Sequence, residues 1–185
     1  MEYFDIYNRF GEKTGEVIER GEAHRSGVCH RVVHLWLINE KHEILIQQRS
    51  ATKDSGANLW YVSVGGHIEA GESIESTLIR ETQEELGLDI SEVTDRIKYL
   101  FTFKDCKIEN EGSFIDHEFY DVFALKMDFD LSEITLQPEE VQAVKFVSYE
   151  VFKQIVIKKD PTFWHHESAY KMLLIALEEL EVSPK

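Results

Sequence analysis

Residues 66–88 read GHIEAGESIESTLIRETQEELGL, and this stretch decides the fold. Within it Glu81, Glu84 and Glu85 stand at i, i+3 and i+4, positions that share one narrow face of a helix. Like charges spaced this way repel one another, so a purely structural helix has little reason to keep them. A hard divalent cation supplies the reason, because magnesium takes carboxylate and phosphate oxygens together. A cation held there polarises a phosphoryl oxygen, lowers the pKa of a water and steadies a leaving group. Arg80 lies four residues before Glu84, and Glu72 stands ahead of the helix within reach of Arg80. Gly65 and Gly66 let backbone carbonyls come close to an ion, and Gly87 is a helix stop.

Working outward, the apolar spacing of Ile74, Leu78 and Ile79 predicts a helix over 73–86. Upstream, Leu59 to Val64 reads as a short strand, residues 50–58 as a polar loop, and Val32 to Asn39 with Ile44 to Arg49 as a buried strand pair around the turn at 40–43. The opening reads as a hairpin, Tyr3 to Tyr7 returning over Glu16 to Glu19 through the turn chemistry of 8–15. Downstream, 97–104, 118–127 and 144–147 read as strands. Ser148 caps a helix through Ile157, and 165–180 is an amphipathic helix. The pattern predicts a mixed sheet with helices packed on it, an α+β or layered α/β/α domain spanning 1–185 with residues 1–27 as an N-terminal hairpin extension.

The net charge of −15 argues against a nucleic-acid groove. Cys29 and Cys106 form neither a disulfide framework nor a paired zinc motif. Without a signal-like start or a membrane-length apolar run, a cytoplasmic setting is expected. The hairpin offers an edge through which a homodimer could pair.

The run 66–88 resembles the box of the Nudix family: glycine, five residues, glutamate, seven residues, Arg-Glu, an aliphatic, any residue, Glu-Glu, any residue, glycine, an aliphatic. Gly66, Glu72, Arg80, Glu81, Glu84, Glu85, Gly87 and Leu88 match at the right spacing, and Thr82 departs from the aliphatic position. The resemblance implies an α/β/α sandwich with the box as loop-helix-loop. It implies Mg2+ or Mn2+ on Glu81, Glu84, Glu85 and the Gly65 carbonyl, with Glu72 and Arg80 bracing the loop. The implied reaction is attack of water on a phosphorus of a nucleoside diphosphate joined to another group. Glu81 is the first choice of general base, ahead of Glu139 and Glu140. His67, Trp60 and Arg49 are expected to contact substrate, and Tyr61, Phe119, Trp164 and Lys104 are further candidates beside them.

Residues 60–73, WYVSVGGHIEAGES, are also similar to the active-site segment of isopentenyl-diphosphate isomerases, which share the Nudix fold. That likeness implies a second metal set at His24, His30, His67, Asp116 and Glu118. Here His24 reads as a loop residue one position out of alignment, expected to stand outside such a set, and His165 and His166 read as surface residues. The isomerase's catalytic cysteine falls at Gly65, which has no group to give or take a proton. The expectation is therefore a hydrolase. An isomerase-type enzyme and a nucleotide-sensing, non-catalytic domain stand as alternatives.

Overall fold

The computed structural model describes residues 1–180. A hairpin opens the chain, β1 (Tyr3–Tyr7) paired antiparallel with β2 (Lys13–Glu19). It runs into α1 (Arg20–Ser26), which Glu19 caps and Gly27 ends in the left-handed region at φ 68°. The expected hairpin is present with a longer second strand. The expected loop at His24 is instead a turn of helix, hidden in the sequence by Gly21 and by too short an apolar repeat.

The main sheet orders its strands β5 (Trp60–Tyr61), β4 (Glu43–Arg49), β3 (His30–Ile38), β8 (Phe114–Lys126), β7 (Lys98–Glu109). On β3 the short β6 (Val64–His67) also pairs, and on β4 so does β9 (Val141–Ser148). β3 and β8 pair parallel while the other named strand pairs run antiparallel, so the sheet is mixed. The strand expected over 59–64 is split in two. At the break, Ser63 Oγ donates to the Leu45 carbonyl at 2.6 Å and accepts from the Leu37 N–H at 2.8 Å, so its buried hydroxyl is satisfied.

Alternation along β3 builds both layers. Val33, Leu35 and Leu37 face the core under α2 (Ile74–Leu86), with Leu78 and Leu86. Trp36 and Ile38 face the opposite core, closed by Phe152 of α3 (Tyr149–Lys158) and Tyr170, Leu173 and Leu177 of α4 (Glu167–Glu179). Ser73 and Ser76 form a capping box at the start of α2, and Gly87 ends it at φ 70°. Ile74, on the first turn, is exposed. Thr82 is fully buried and donates to the Leu78 carbonyl at 2.6 Å, so the departure from an aliphatic residue leaves no orphaned hydroxyl. No helix among the described residues is long and apolar enough to cross a membrane.

Candidate active site

Helix α2, the β6 loop and the ends of β3 and β8 enclose a cavity of about 430 Å³. Glu81, Glu84, Gly65, Gly66, His67, Arg49, Glu139 and Glu140 line it. Glu85, 3% exposed, lies behind them and accepts from Gln47 Nε2 at 3.1 Å and from the Gly65 N–H at 3.2 Å. Burial and the nearby Glu81 charge raise the carboxyl of Glu85. Burial likewise raises Glu81, against the pull of Arg80. Two neighbouring carboxyls pushed up together form an acceptor set that a divalent cation relieves.

Arg80 ties the box together. Its Nε and one terminal nitrogen meet both Glu72 oxygens, at 3.1 and 2.9 Å, and the same terminal nitrogen donates to the His67 carbonyl at 3.1 Å. Its other terminal nitrogen donates to Glu81 Oε1 at 2.7 Å and to Glu84 Oε2 at 3.2 Å. Planar five-donor geometry makes this clamp specific to arginine.

A second acidic centre adjoins the first. His24, His30, His67, Asp116 and Glu118 bring one ligand atom each to within 4.8 Å of one another. Register explains the meeting: His30 on β3 lies opposite Glu118 on the parallel β8, and α1 lays His24 against that pair, 3.6 Å from Asp116 Oδ1. His24, expected outside this set, is 3% exposed and inside it. The atoms there are short of protons or of a cation. His30 Nδ1 faces the Val28 carbonyl at 3.1 Å while its Nε2 faces Glu118 Oε1 at 2.9 Å, and both contacts demand a donor. His67 Nε2 meets the same oxygen at 3.0 Å. The buried His24 Nε2 has no partner. Burial lowers the pKa of His24 to about 4, so its imidazole is neutral with a lone pair to give. Burial works to raise Glu118, but His30 and His67 hold it well below the usual carboxylate range. Burial and Glu118 raise its neighbour Asp116. A divalent ion with an imidazole preference fits this donor set. Fully buried Phe4 of the hairpin stacks on His30 at 4.8 Å and on His67 at 4.7 Å and closes the centre from that side.

Of the aromatic and basic candidates, Tyr61, Trp164 and Arg49 reach the cavity. Arg49 lies over the Trp164 ring at 4.6 Å. Trp60 is instead packed at the core margin with Lys145 Nζ 3.8 Å over its ring, because β5 turns its alternate side chain away. Phe119 and Lys104 lie on the other side of β8, Lys104 Nζ 5.0 Å from the Phe119 ring. His166, read as a surface residue, is 2% exposed, since it precedes α4 and points into the sheet. Lys53 was not legible as a site residue: it lines the cavity and pairs with Glu140, which places a cation beside the box carboxylates. Gln47 and His34 were missed for the same reason, that their roles depend on pairing between strands.

Helix carboxylates, an arginine clamp and a glycine loop thus meet at one edge of a mixed sheet. A NUDIX domain model matches residues 29–171, and the chain belongs to the Nudix family, as a hydrolase similar to curated Nudix hydrolases. It is 41% identical over 165 residues to Nudix hydrolase 3 of Arabidopsis thaliana, covering 88% of this chain and 21% of that protein. The chain thus spans about a fifth of that relative's length. It is 28% identical over 137 residues to an isopentenyl-diphosphate Delta-isomerase of an Enterobacter species, covering 72% of this chain and 71% of that one. The crystal structure of DR0079 from Deinococcus radiodurans shares the fold, with a TM-score of 0.69 at 24% identity over 96% of this chain and 98% of the other.

Proposed function

We propose that the chain hydrolyses the diphosphate linkage of a nucleoside diphosphate derivative by attack of water on phosphorus. The observation that carries this is the pair of neighbouring carboxyls, Glu81 at the cavity wall in the clamp of Arg80 and Glu85 buried behind it. Glu81, Glu84, Glu85 and the Gly65 carbonyl would hold Mg2+ or Mn2+, which supplies Lewis-acid stabilisation of charge on the phosphoryl oxygens. Arg49 and Lys53, the latter beside the box carboxylates, bind the phosphates. Arg80 keeps Glu81 in place and leaves its second oxygen free to take a proton from water, while Glu72 keeps Arg80 in place. His67 lines the phosphate end of the cavity.

A second ion suits His24, His30, His67, Asp116 and Glu118, and this set favours an isomerase-type reading as the one alternative. Gly65 stands against it. Proton transfer on a carbon skeleton needs a donor at that position, and glycine provides none.

The deciding experiment is a release assay with Mg2+ and with Mn2+ over nucleoside diphosphates, nucleotide sugars, dinucleotides, coenzyme A and isopentenyl diphosphate. Phosphate or nucleotide release from a nucleoside diphosphate derivative upholds the proposal. Conversion of isopentenyl diphosphate with no hydrolysis anywhere in the panel overturns it.

A further inference from the structure

Strand β4 sends an amide into the layer under α2. Leu45 and Gln47 stand two residues apart and share one face of the strand. Leu45 packs in the core with Leu78 and Leu86 of α2, and Gln47 is 1% exposed. The amide nitrogen of Gln47 donates to Glu85 Oε2 at 3.1 Å. Its amide oxygen is buried and has no hydrogen-bond partner among the described residues. An orphaned buried acceptor costs stability, and an apolar side chain of the same length would fill the position without that cost. Gln47 thus breaks the packing rule that Leu45 follows, and such breaks gather where function demands them.

The bond that Gln47 does make fixes one oxygen of one carboxylate. Gln47 Nε2 and the Gly65 N–H, the latter at 3.2 Å, both donate to Oε2 of Glu85. The two donors come from different strands, β4 and β6, and together they hold the carboxylate against rotation. Oε1 accepts from neither and keeps its lone pairs for a cation. The direction of the amide follows from charge: an ionised carboxylate only accepts, so nitrogen must face it. Turned over, the amide would set oxygen against oxygen. Gln47 is itself paired on both sides, with Tyr61 of β5 and Val144 of β9, so its backbone is a firm base for this contact.

We propose that Gln47 is a positioning residue for Glu85: with the Gly65 N–H it pins Oε2, so that Oε1 is presented to the divalent ion of the box. The proposal rests on the reading of Glu85 as a ligand of that ion. Gln47 acts through Glu85 and touches neither ion nor substrate. Partners one bond removed from a metal change its affinity by about 10- to 100-fold.

Mg2+ alone is the probe, titrated against the melting temperature of wild type, Gln47→Met and Glu85→Gln. Methionine keeps the length of the side chain and removes both the donor and the orphaned oxygen. Without metal, Gln47→Met is expected to melt within about 3 °C of wild type. It is expected to need at least about tenfold more Mg2+ for the same rise in melting temperature. Glu85→Gln is expected to lose most of the rise. A merely structural Gln47 would give the reverse, a lower melting temperature without metal and an unchanged Mg2+ requirement. A requirement in Gln47→Met within about twofold of wild type, with the rise lost in Glu85→Gln, overturns this proposal and leaves the hydrolase reading standing. A Glu85→Gln response equal to that of wild type, or a wild type without a response, removes the ligand on which the proposal rests, and both readings fall. If Gln47→Met does not fold, the wild-type amide decides. Its side-chain N–H signals are expected to shift as Mg2+ is added, and signals that stay still overturn the proposal.

Discussion

A Cβ built on Gly66 would lie 1.9 Å from Cδ of Glu81. Glycine and carboxylate fill adjoining parts of one space, so the loop residue decides where the helix residue can stand. Because the obstructing atoms are the far end of a flexible side chain, Gly66→Ala is expected to push Glu81 aside rather than unfold the protein. Turnover should fall about a hundredfold, with a stability loss of about 1 kcal/mol. At Gly65 the same atom would lie 3.2 Å from Val62 Cγ1 and 3.4 Å from His34 Cδ2, so Gly65→Ala should fold with a smaller loss of activity. Steady-state kinetics and chemical denaturation of the two variants check the contrast.

Glu85→Gln separates function from stability. The amide keeps an acceptor oxygen for Gln47 and the Gly65 N–H, yet removes a charge that burial disfavours. Turnover is expected to drop about a thousandfold or more for loss of a metal ligand. The metal-free variant should be more stable than wild type at pH 8 by about 1 kcal/mol. A variant that keeps its turnover removes Glu85 from the proposed ligand set.

The same two carboxyls set a pH dependence. Both ionise above the ordinary carboxylate range because of burial, and Glu81 further raises Glu85. In the metal-free protein a group with a raised folded pKa contributes stability below its unfolded pKa of 4.5, and that contribution is lost as pH rises through the folded value near neutrality. Magnesium needs the ionised forms, so its affinity should run the opposite way, weakening about tenfold per unit as pH falls below neutral. The rise in Tm on adding Mg2+ should be larger at pH 8 than at pH 6. An equal rise at both would refute the assignment.

The histidine centre is expected to take one Co2+, Zn2+ or Mn2+ in addition to the box ion. Co2+ loading should give a ligand-field absorption band that chelator removes. His24→Ala should weaken binding about tenfold or more, because it deletes the buried nitrogen that has no protein partner. A Co2+ band of equal intensity in His24→Ala would place the ion elsewhere.

The box helix and β3 were legible in the sequence because their information is local. The spacing of Glu81, Glu84 and Glu85, the cap at Ser73 and the stop at Gly87 lie within one short run, and the run Val32–Ile38 can only be a buried strand. What escaped reading depends on partners far along the chain. His24 joins the histidine centre only because α1 packs on β8, and His166 is buried only because Tyr61 and Asp105 meet it. The pair of histidines before the last helix looks polar and therefore exposed. Nothing in their neighbours says that a hydroxyl and a carboxylate await one of them. Lys53 sits in a loop whose composition carries no signal until Glu140 is brought against it.

The parallel pairing of β3 with β8 also orders events in time. Strands that run the same way cannot be joined by a tight turn, and here the whole box helix lies in the connection between His30 and Glu118. During synthesis the helix and its glycine loop can take shape while two of the five ligands of the neighbouring centre, Asp116 and Glu118, are still untranslated. Ion uptake by the histidines would then be a late event, a marker that the final crossover has docked rather than a seed around which the chain first gathers.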